Sequence, residues 1–412
     1  MPATGLRRWT LQALTYAAVL MAWGDGVSLA GRFEIALSAV DAMFPSRRRV
    51  GRTYPGFVKA LIRFSPRLLR RIECHLRLAV RATAGGSWET LGWVVMGTDG
   101  SRVECPRTAA NEEALGCGGR KKTGPQLWLT TILHLATGLP WCSKVGRANA
   151  DERGHLRRMA HLLPDKTLLV ADAGYTGYEL WKALMDAGHS ILIRVGANVK
   201  LLRKLGYAVQ EHEGIAYLWP GKQRKAGHRP LVLRLIRLHD GRKEVWLVTN
   251  VLEDRRLSDT QAASIYRLRW GLELGFRAMK QTMQRRKMRS AAPVQAVLEL
   301  RWSVVGLSLL GLLGVRAIVG RGGDPRSLSF AAALHAVRDM VRDPQRRPRR
   351  GQGLQQRLRR AVKDAYIRRS SKAARDWSHK KTEQPPGSPN IRDAHPMEVH
   401  AAQQLRALPI AA

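Results

Sequence analysis

Acidic residues are scarce in this chain. Thirty-two Asp and Glu face 70 Lys and Arg among 412 residues, leaving a formal net charge of +38. So large an imbalance points to a polyanion as partner rather than to an ordinary small-molecule enzyme. Cysteine is also sparse. Cys74, Cys105, Cys117 and Cys142 are scattered, with no CxxC pair and no histidine spacing suited to zinc, so free thiols are expected. Long apolar runs are missing too. Ala13–Trp23 and Trp302–Val315 fall short of the roughly 20 residues a membrane span needs, and the second, bounded by Arg301 and Arg316, reads as a buried core helix. Arg7 and Arg8 precede an apolar run, but Asp25 and Glu34 follow it without a convincing small-residue cleavage site. A cytoplasmic protein is therefore expected, and no internal repeat is evident. Anionic membrane is the competing polyanion. The basic residues, however, spread through the segments instead of clustering beside an apolar span, which favours nucleic acid.

What is present divides into three stretches. Residues 1–88 alternate apolar and basic positions at helical spacing, broken at Gly24-Asp25-Gly26, Pro45, Pro55 and Pro66, which predicts four short helices. The most basic, SPRLLRRIECHLRLAVRAT, is either a solvated face or a DNA contact. From residue 89 the texture changes. LGWVVMGTD, QLWLTTILHLATG, LPWCSKVG, TLLVADAG and SILIRVG read as strands, with TGLP closing a hairpin, while DERGHLRRMAHLLP and GYELWKALMDAGH read as helices. An α/β domain with a mixed sheet is expected over 89–330. A second strand-rich patch at about 197–255 looks like an insertion, with EVWLVTN returning to the main sheet. Residues 331–412 form a basic C-terminal region, helical from Leu354 and ending in a Pro-rich turn and a short helix. It should bind phosphate backbone without reading sequence.

The segment YRLRWGLELGFRAMK, Tyr266 to Lys280, carries the chemistry. On one continuous helix, Arg269, Glu273 and Lys280 fall at roughly 300°, 340° and 320° from Tyr266. All four then share one narrow face, with Arg277 at about 20°. An apolar stripe of Ile265, Leu268, Leu272, Phe276, Met279 and Met283 lies about 90° away and should anchor the helix. A solvated basic face has no need to place its lone acid among cations and a tyrosine. Two more acids lie at candidate strand ends, Asp99 in VVMGTDGS and Asp172 in LLVADAGYTGY, each followed closely by glycine. Each alone reads as a turn or cap residue. Together, Asp99, Asp172 and Glu273 form a candidate set of hard oxygen ligands for Mg2+ or Mn2+, and two such ions suit in-line displacement at phosphorus.

With these residues the chain resembles the DDE transposases of bacterial insertion sequences, in the insertion sequence four family with its Tyr-Arg-Glu-Lys signature. The resemblance spans roughly 90–390 and rests on DGSRVECPRTAANE, ADAGYTGYELW, the complete Tyr266–Lys280 signature and PPGSPNI near the C-terminus. It implies a ribonuclease-H-like catalytic domain, a mixed sheet flanked by helices with a β-rich insertion before the glutamate. It also implies cut-and-paste movement of DNA, by a homodimer that synapses two DNA ends at the nucleoid. Asp99, Asp172 and Glu273 would be the catalytic metal ligands. Tyr266, Arg269 and Lys280 would hold phosphates, with Arg277 as a lesser DNA contact. Trp219, in AYLWP, is the nearest candidate to stack on a flipped base, in competition with Trp246 and with a plain core role. The helical N-terminal stretch is assigned to DNA recognition on position and charge alone. A non-catalytic DNA-binding relative would predict a broken acid set, and a nuclease without strand transfer would share the metals but join no ends.

Overall fold

The computed structural model describes residues 9–44, 51–118, 124–239, 244–343, 352–364 and 386–407. Most of the expected arginine-rich stretch before PPGSPNI lies outside these residues. The side chains of Thr10, Ser28 and Thr53 accept backbone N–H groups three residues on, capping helices α1 (Leu11–Trp23), α2 (Leu29–Met43) and α3 (Tyr54–Ala84). The expectation of four short helices is corrected here, because α3 runs through Pro66. Pro55 sits in the first turn, where a missing N–H costs little. Pro66 forfeits one hydrogen bond, but Phe57, Leu69, Leu76, Val80 and Ala84 bury along both sides of it and carry the helix across.

Strand β1 (Val94–Glu104) is followed by α4 (Ala109–Leu115) and by the hairpin of β2 (Gln126–His134) with β3 (Leu139–Arg147). Next come α5 (Glu152–Met159), β4 (Thr167–Ala171), α6 (Tyr178–Asp186) and β5 (Ser190–Val195). The insertion supplies β6 (Lys200–Arg203), β7 (Ile215–Leu218), a short α7 (Gly221–Lys225), β8 (Leu231–His239) and β9 (Glu244–Thr249). Helices α8 (Asp259–Arg267), α9 (Trp270–Arg277), α10 (Pro293–Val319), α11 (Phe330–Arg342) and α12 (Leu354–Arg359) precede β10 (Asn390–Asp393) and α13 (Pro396–Ala407).

These elements form two compact units that interleave along the chain. The first takes Met1–Thr90, Asp99–His155 and Trp270–Lys363; the second takes Leu91–Thr98, Leu156–Arg269 and Asp364–Ala412. In the first unit α10 is the core. It is 27 residues long, longer than Trp302–Val315 suggested, and is apolar enough to span a membrane, yet 72% of its most apolar window is buried inside the protein. Helices α1 and α3 pack on it, with the Trp23 indole N–H bonded to Gly306 O at 2.8 Å and the Trp302 indole N–H to Ser65 Oγ at 3.0 Å. The buried Arg285 guanidinium donates to the carbonyls of Met21, Ala22 and Gly24, satisfying acceptors that the end of α1 leaves open. Burial pushes Arg285 down to about 9.

The second unit is a mixed sheet in the order β10-β6-β7-β8-β9-β5-β4-β1, joined by the Leu91–Thr98 part of β1. Strands β1, β4 and β5 run parallel, β9 returns antiparallel to β5 as expected of EVWLVTN, and β10 adds to β6 in parallel. The insertion thus continues this sheet instead of standing as a patch of its own. The all-apolar β4, TLLVA, is buried at every position, as a central parallel strand requires.

Candidate active site

Asp172 ends β4 as the sequence indicated. The carboxylate accepts the Gly174 N–H at 2.9 Å, and the Asp172 carbonyl accepts from Tyr175, so the chain leaves the sheet in a tight capped turn. Asp99 departs from expectation, because β1 does not stop there but continues to Glu104. The extension is held at its far end, where Glu104 N–H donates to Arg286 O and Met288 N–H donates to Glu104 O. Asp99 is therefore a mid-strand residue, half-buried, with Oδ1 accepting the Gly100 N–H at 2.7 Å. The β1–β4 register pairs Gly97 with Val170; Asp99 lies two residues further on within β1, and Asp172 directly follows the last residue of β4.

The signature segment is not one helix. Helix α8 ends at Arg267, the N–H groups of Leu268 and Arg269 bond three residues back to Ile265 and Tyr266, and α9 begins at Trp270. A π-helical turn, Ala278–Thr282, follows α9. Each change of hydrogen-bond spacing resets the angular count, so the single narrow face computed for a regular helix does not exist. The apolar stripe survives better. Ile265, Leu272, Met279 and Met283 are buried, and Leu268 and Phe276 are half-buried.

In the second unit, Tyr266 and Arg269 stand with Asp172. The Arg269 guanidinium lies 5.7 Å from the Tyr266 ring centroid. The Tyr266 hydroxyl is buried and makes no hydrogen bond of full geometry among the described residues, although the Arg269 side chain lies close enough to act on it. Burial pushes the phenol up, the charges of Arg269 and Arg194 pull it down, and Asp172 pushes it up again. Arg194, on β5, is thus a cation of this cluster that the strand pattern SILIRVG concealed.

In the first unit, Leu272, Phe276 and Met279 line a small gap against Leu129, Thr131 and Leu133 of β2, which seats α9 on the strand next to β1. Lys280 donates to Ser101 Oγ at 2.6 Å, and its ammonium is pushed down by burial and by Arg286, against the opposing pull of Glu104 and Asp99. Glu273 is half-buried and Arg277 is exposed. Another acid went unnoticed in the sequence. Glu152 brings Oε2 to 2.9 Å from where a Cβ on Gly100 would stand, and Trp128 fills the rest of that space, so no larger residue fits beside Asp99.

Trp219 is corrected to a core residue. It is 4% exposed, packs with Leu202, Tyr217 and Ala402, and spends its indole N–H on His228 O at 2.7 Å. Trp270, next to Arg269 in sequence, is by contrast 57% exposed. All four cysteines are free thiols, and burial pushes Cys105 and Cys142 up to about 12. Among the described residues no group of three or more His, Cys, Asp or Glu is gathered closely enough to hold a metal ion.

Residues 95–307, more than half of the chain, match the family described as the transposase DDE domain. The chain is 25% identical over 321 residues to the transposase InsG for insertion sequence element IS4 of Escherichia coli strain K12, covering 74% of this chain and 71% of that protein. It is 28% identical over 145 residues to the putative transposase y4zB of Sinorhizobium fredii, covering 34% of this chain and 41% of that one. Among solved structures, the piggyBac transposase synaptic complex with hairpin DNA aligns over 67% of this chain and 59% of its own at 12% identity and a TM-score of 0.37. The Mos1 transposase paired-end complex with left transposon end aligns over 46% and 60% at 11% identity and a TM-score of 0.18. The matched span takes in Asp99, Asp172 and Glu273, and the chain belongs to the DDE transposases of bacterial insertion sequences, in the insertion sequence four family, enzymes that cleave DNA and transpose it.

Proposed function

We propose that this transposase cuts the two ends of its own insertion sequence and joins them to target DNA, with Asp99, Asp172 and Glu273 as ligands of two Mg2+ or Mn2+ ions on a ribonuclease-H-like sheet. The observation that carries the reading is the parallel register of β1 and β4, with Gly97 opposite Val170 and an aspartate two residues beyond each. Transposase DDE domains act with divalent metal ions, and carboxylate oxygens are the donors that hard cations take. The three acids are not gathered in advance, so the proposal requires their side chains to close in when ions and DNA bind. Ions held there supply Lewis acidity at the scissile phosphate.

The remaining roles fall to the chain's own cations and phenol. Tyr266 has a buried hydroxyl that a phosphate oxygen would satisfy, flanked by Arg269 and Arg194. Lys280, drawn down onto Ser101 beside Asp99, supplies a desolvated ammonium, which binds a phosphate more strongly than one in water. Arg277 is exposed and contributes a weaker, screened contact. To bring two ends together the protein would act as a homodimer on DNA in the cytoplasm. Mg2+-dependent nicking of a duplex carrying the element's end tests the assignment. Asp172→Asn and Glu273→Gln should abolish nicking while leaving end binding within about twofold of the parent, since neither adds bulk. Undiminished nicking by either variant removes it from the metal-ligand set.

A further inference from the structure

The C-terminal motif PPGSPNI is distinctive in sequence but carries no group suited to phosphoryl transfer. In the second unit its described residues, 386–391, lie against the loop between β5 and β6. Pro386 O accepts the Ala197 N–H at 2.8 Å. A Cβ on Gly196 would stand 2.4 Å from both Cβ and O of Pro386, a distance no side chain tolerates. The two backbones therefore meet at a point that only glycine allows. Immediately after, Asn390 N–H donates to Val199 O at 2.9 Å, and β10 runs beside β6 until Ala394 N–H reaches Arg203 O at 2.8 Å. Residues 196–199 are thereby fixed from the C-terminal side.

The same loop reaches the turn that bears Asp172. Asn198 Nδ2 donates to Thr176 Oγ1 at 3.4 Å, and the buried Thr176 hydroxyl donates in turn to Ala173 O at 3.2 Å. Ala173 is the residue after Asp172, and the Asp172 carboxylate is itself held by Gly174 N–H. The strand that feeds the loop carries Arg194, one of the cations acting on Tyr266. A continuous chain of contacts thus runs from Pro386 through Ala197, Asn198 and Thr176 to the backbone beside Asp172.

We infer that residues 386–391 are a positioning element for Asp172, holding the 196–198 loop so that Asn198 and Thr176 fix the aspartate's turn. The inference rests on the assignment of Asp172 as a catalytic carboxylate. Displacing a reacting group by about 1 Å costs on the order of a hundredfold in rate, so a support this close to the carboxylate is felt in the chemical step rather than in DNA binding.

The test compares Gly196→Ala, Asn198→Ala, Thr176→Val and Thr176→Ser in the full-length protein. Nicking rates at saturating end DNA, end-binding affinity, and amide hydrogen exchange at Gly174 and Tyr175 are measured together. Gly196→Ala, Asn198→Ala and Thr176→Val are expected to lower the nicking rate about tenfold to a hundredfold, with affinity unchanged and with faster exchange confined to the Asp172 turn. Thr176→Ser, which keeps the hydroxyl, should restore both readouts. If Gly196→Ala unfolds the sheet, exchange rises throughout β4 as well, and the two single-group variants at 198 and 176 decide the matter. Parent-like nicking and parent-like exchange at Gly174 and Tyr175 in those two variants overturn the inference. If instead Asp172→Asn itself nicks normally, the functional assignment fails, whereas the exchange at Gly174 still reports whether the loop holds the turn.

Discussion

Replacing Glu398 by Gln isolates the charge that fastens the C-terminal segment to the second unit. The Glu398 carboxylate is 7% exposed and accepts both η nitrogens of Arg392 at 2.8 Å, the His395 N–H at 2.9 Å and Arg224 of α7. The hydrogen bonds from Arg392 first, then the His395 N–H and Arg224, bring the carboxyl from 4.5 down to about 2, against the upward push of burial. At 1.36 kcal/mol per pH unit that difference corresponds to about 3 kcal/mol. Arg392 is 55% exposed and part of its attraction is screened, so about 2 kcal/mol is the fairer figure.

The sign follows from linkage. A carboxyl depressed in the folded state stabilises fully above its unfolded value of 4.5, and the contribution is lost as pH falls toward about 2. Amide exchange at Asn390 and Ala394, whose N–H groups bond to Val199 and Arg203, reads opening of this segment. At pH 7, Glu398→Gln should speed opening by a factor of about 30 while β4 amides stay protected. The gap between parent and variant should narrow between about pH 4.5 and 2. Equal protection in the two proteins at pH 7, or a gap that does not change with pH, refutes the reasoning.

Other outcomes follow from the same structure. Trp219→Ala should cost about 3–5 kcal/mol of stability, measured by denaturant unfolding, because a filled core position is emptied. Trp270→Ala should leave stability within about 0.5 kcal/mol and weaken end-DNA binding by the roughly 1–3 kcal/mol that base stacking contributes, read by titration. Arg285→Met should lower the melting temperature by several degrees, because the carbonyls of Met21, Ala22 and Gly24 lose their donor in a buried place. End-DNA affinity should fall steeply between about 50 and 200 mM salt as released counterions lose their advantage, and a salt-insensitive association would remove the nucleic-acid reading of the +38 charge.

The parts of the fold that were legible in sequence are those where one local signal dominates. The β2–β3 hairpin at TGLP, the buried strand TLLVA, the return of EVWLVTN to β5 and the burial of Trp302–Val315 all follow from apolar runs bounded by turn residues. Where a tertiary partner overrides a local break, the reading failed. Proline at 66 looked like a helix boundary, but α10 offers α3 a long apolar surface and the helix continues. Glycine after Asp99 looked like a strand end, but segment 286–288 pairs with Glu104 and β1 runs on. Trp219 was a candidate only through the resemblance, with a core role open beside it, and its burial depends on Ala402, far away in sequence.

The Tyr266–Lys280 signature makes the most demanding case, because its spacing fits a regular helix and the regular helix is wrong. Bonds from Leu268 and Arg269 to residues three back tighten the chain before Trp270, and the π turn at Ala278–Thr282 loosens it again. Tyr266 and Arg269 are thereby delivered to the unit that holds Asp172, and Glu273 and Lys280 to the unit that holds Asp99. The signature's spacing therefore does not describe one helix face. A substitution that favours continuous helix at the junction, such as Gly271→Ala, has open space for its methyl group and so changes no contact. Gly271→Ala lies within α9, at its first turn, and should therefore be nearly neutral for nicking if the break is set by packing of Ile265 and Leu272 on either side. A large loss of nicking without loss of stability would mean instead that the weak helix propensity of glycine keeps the junction open.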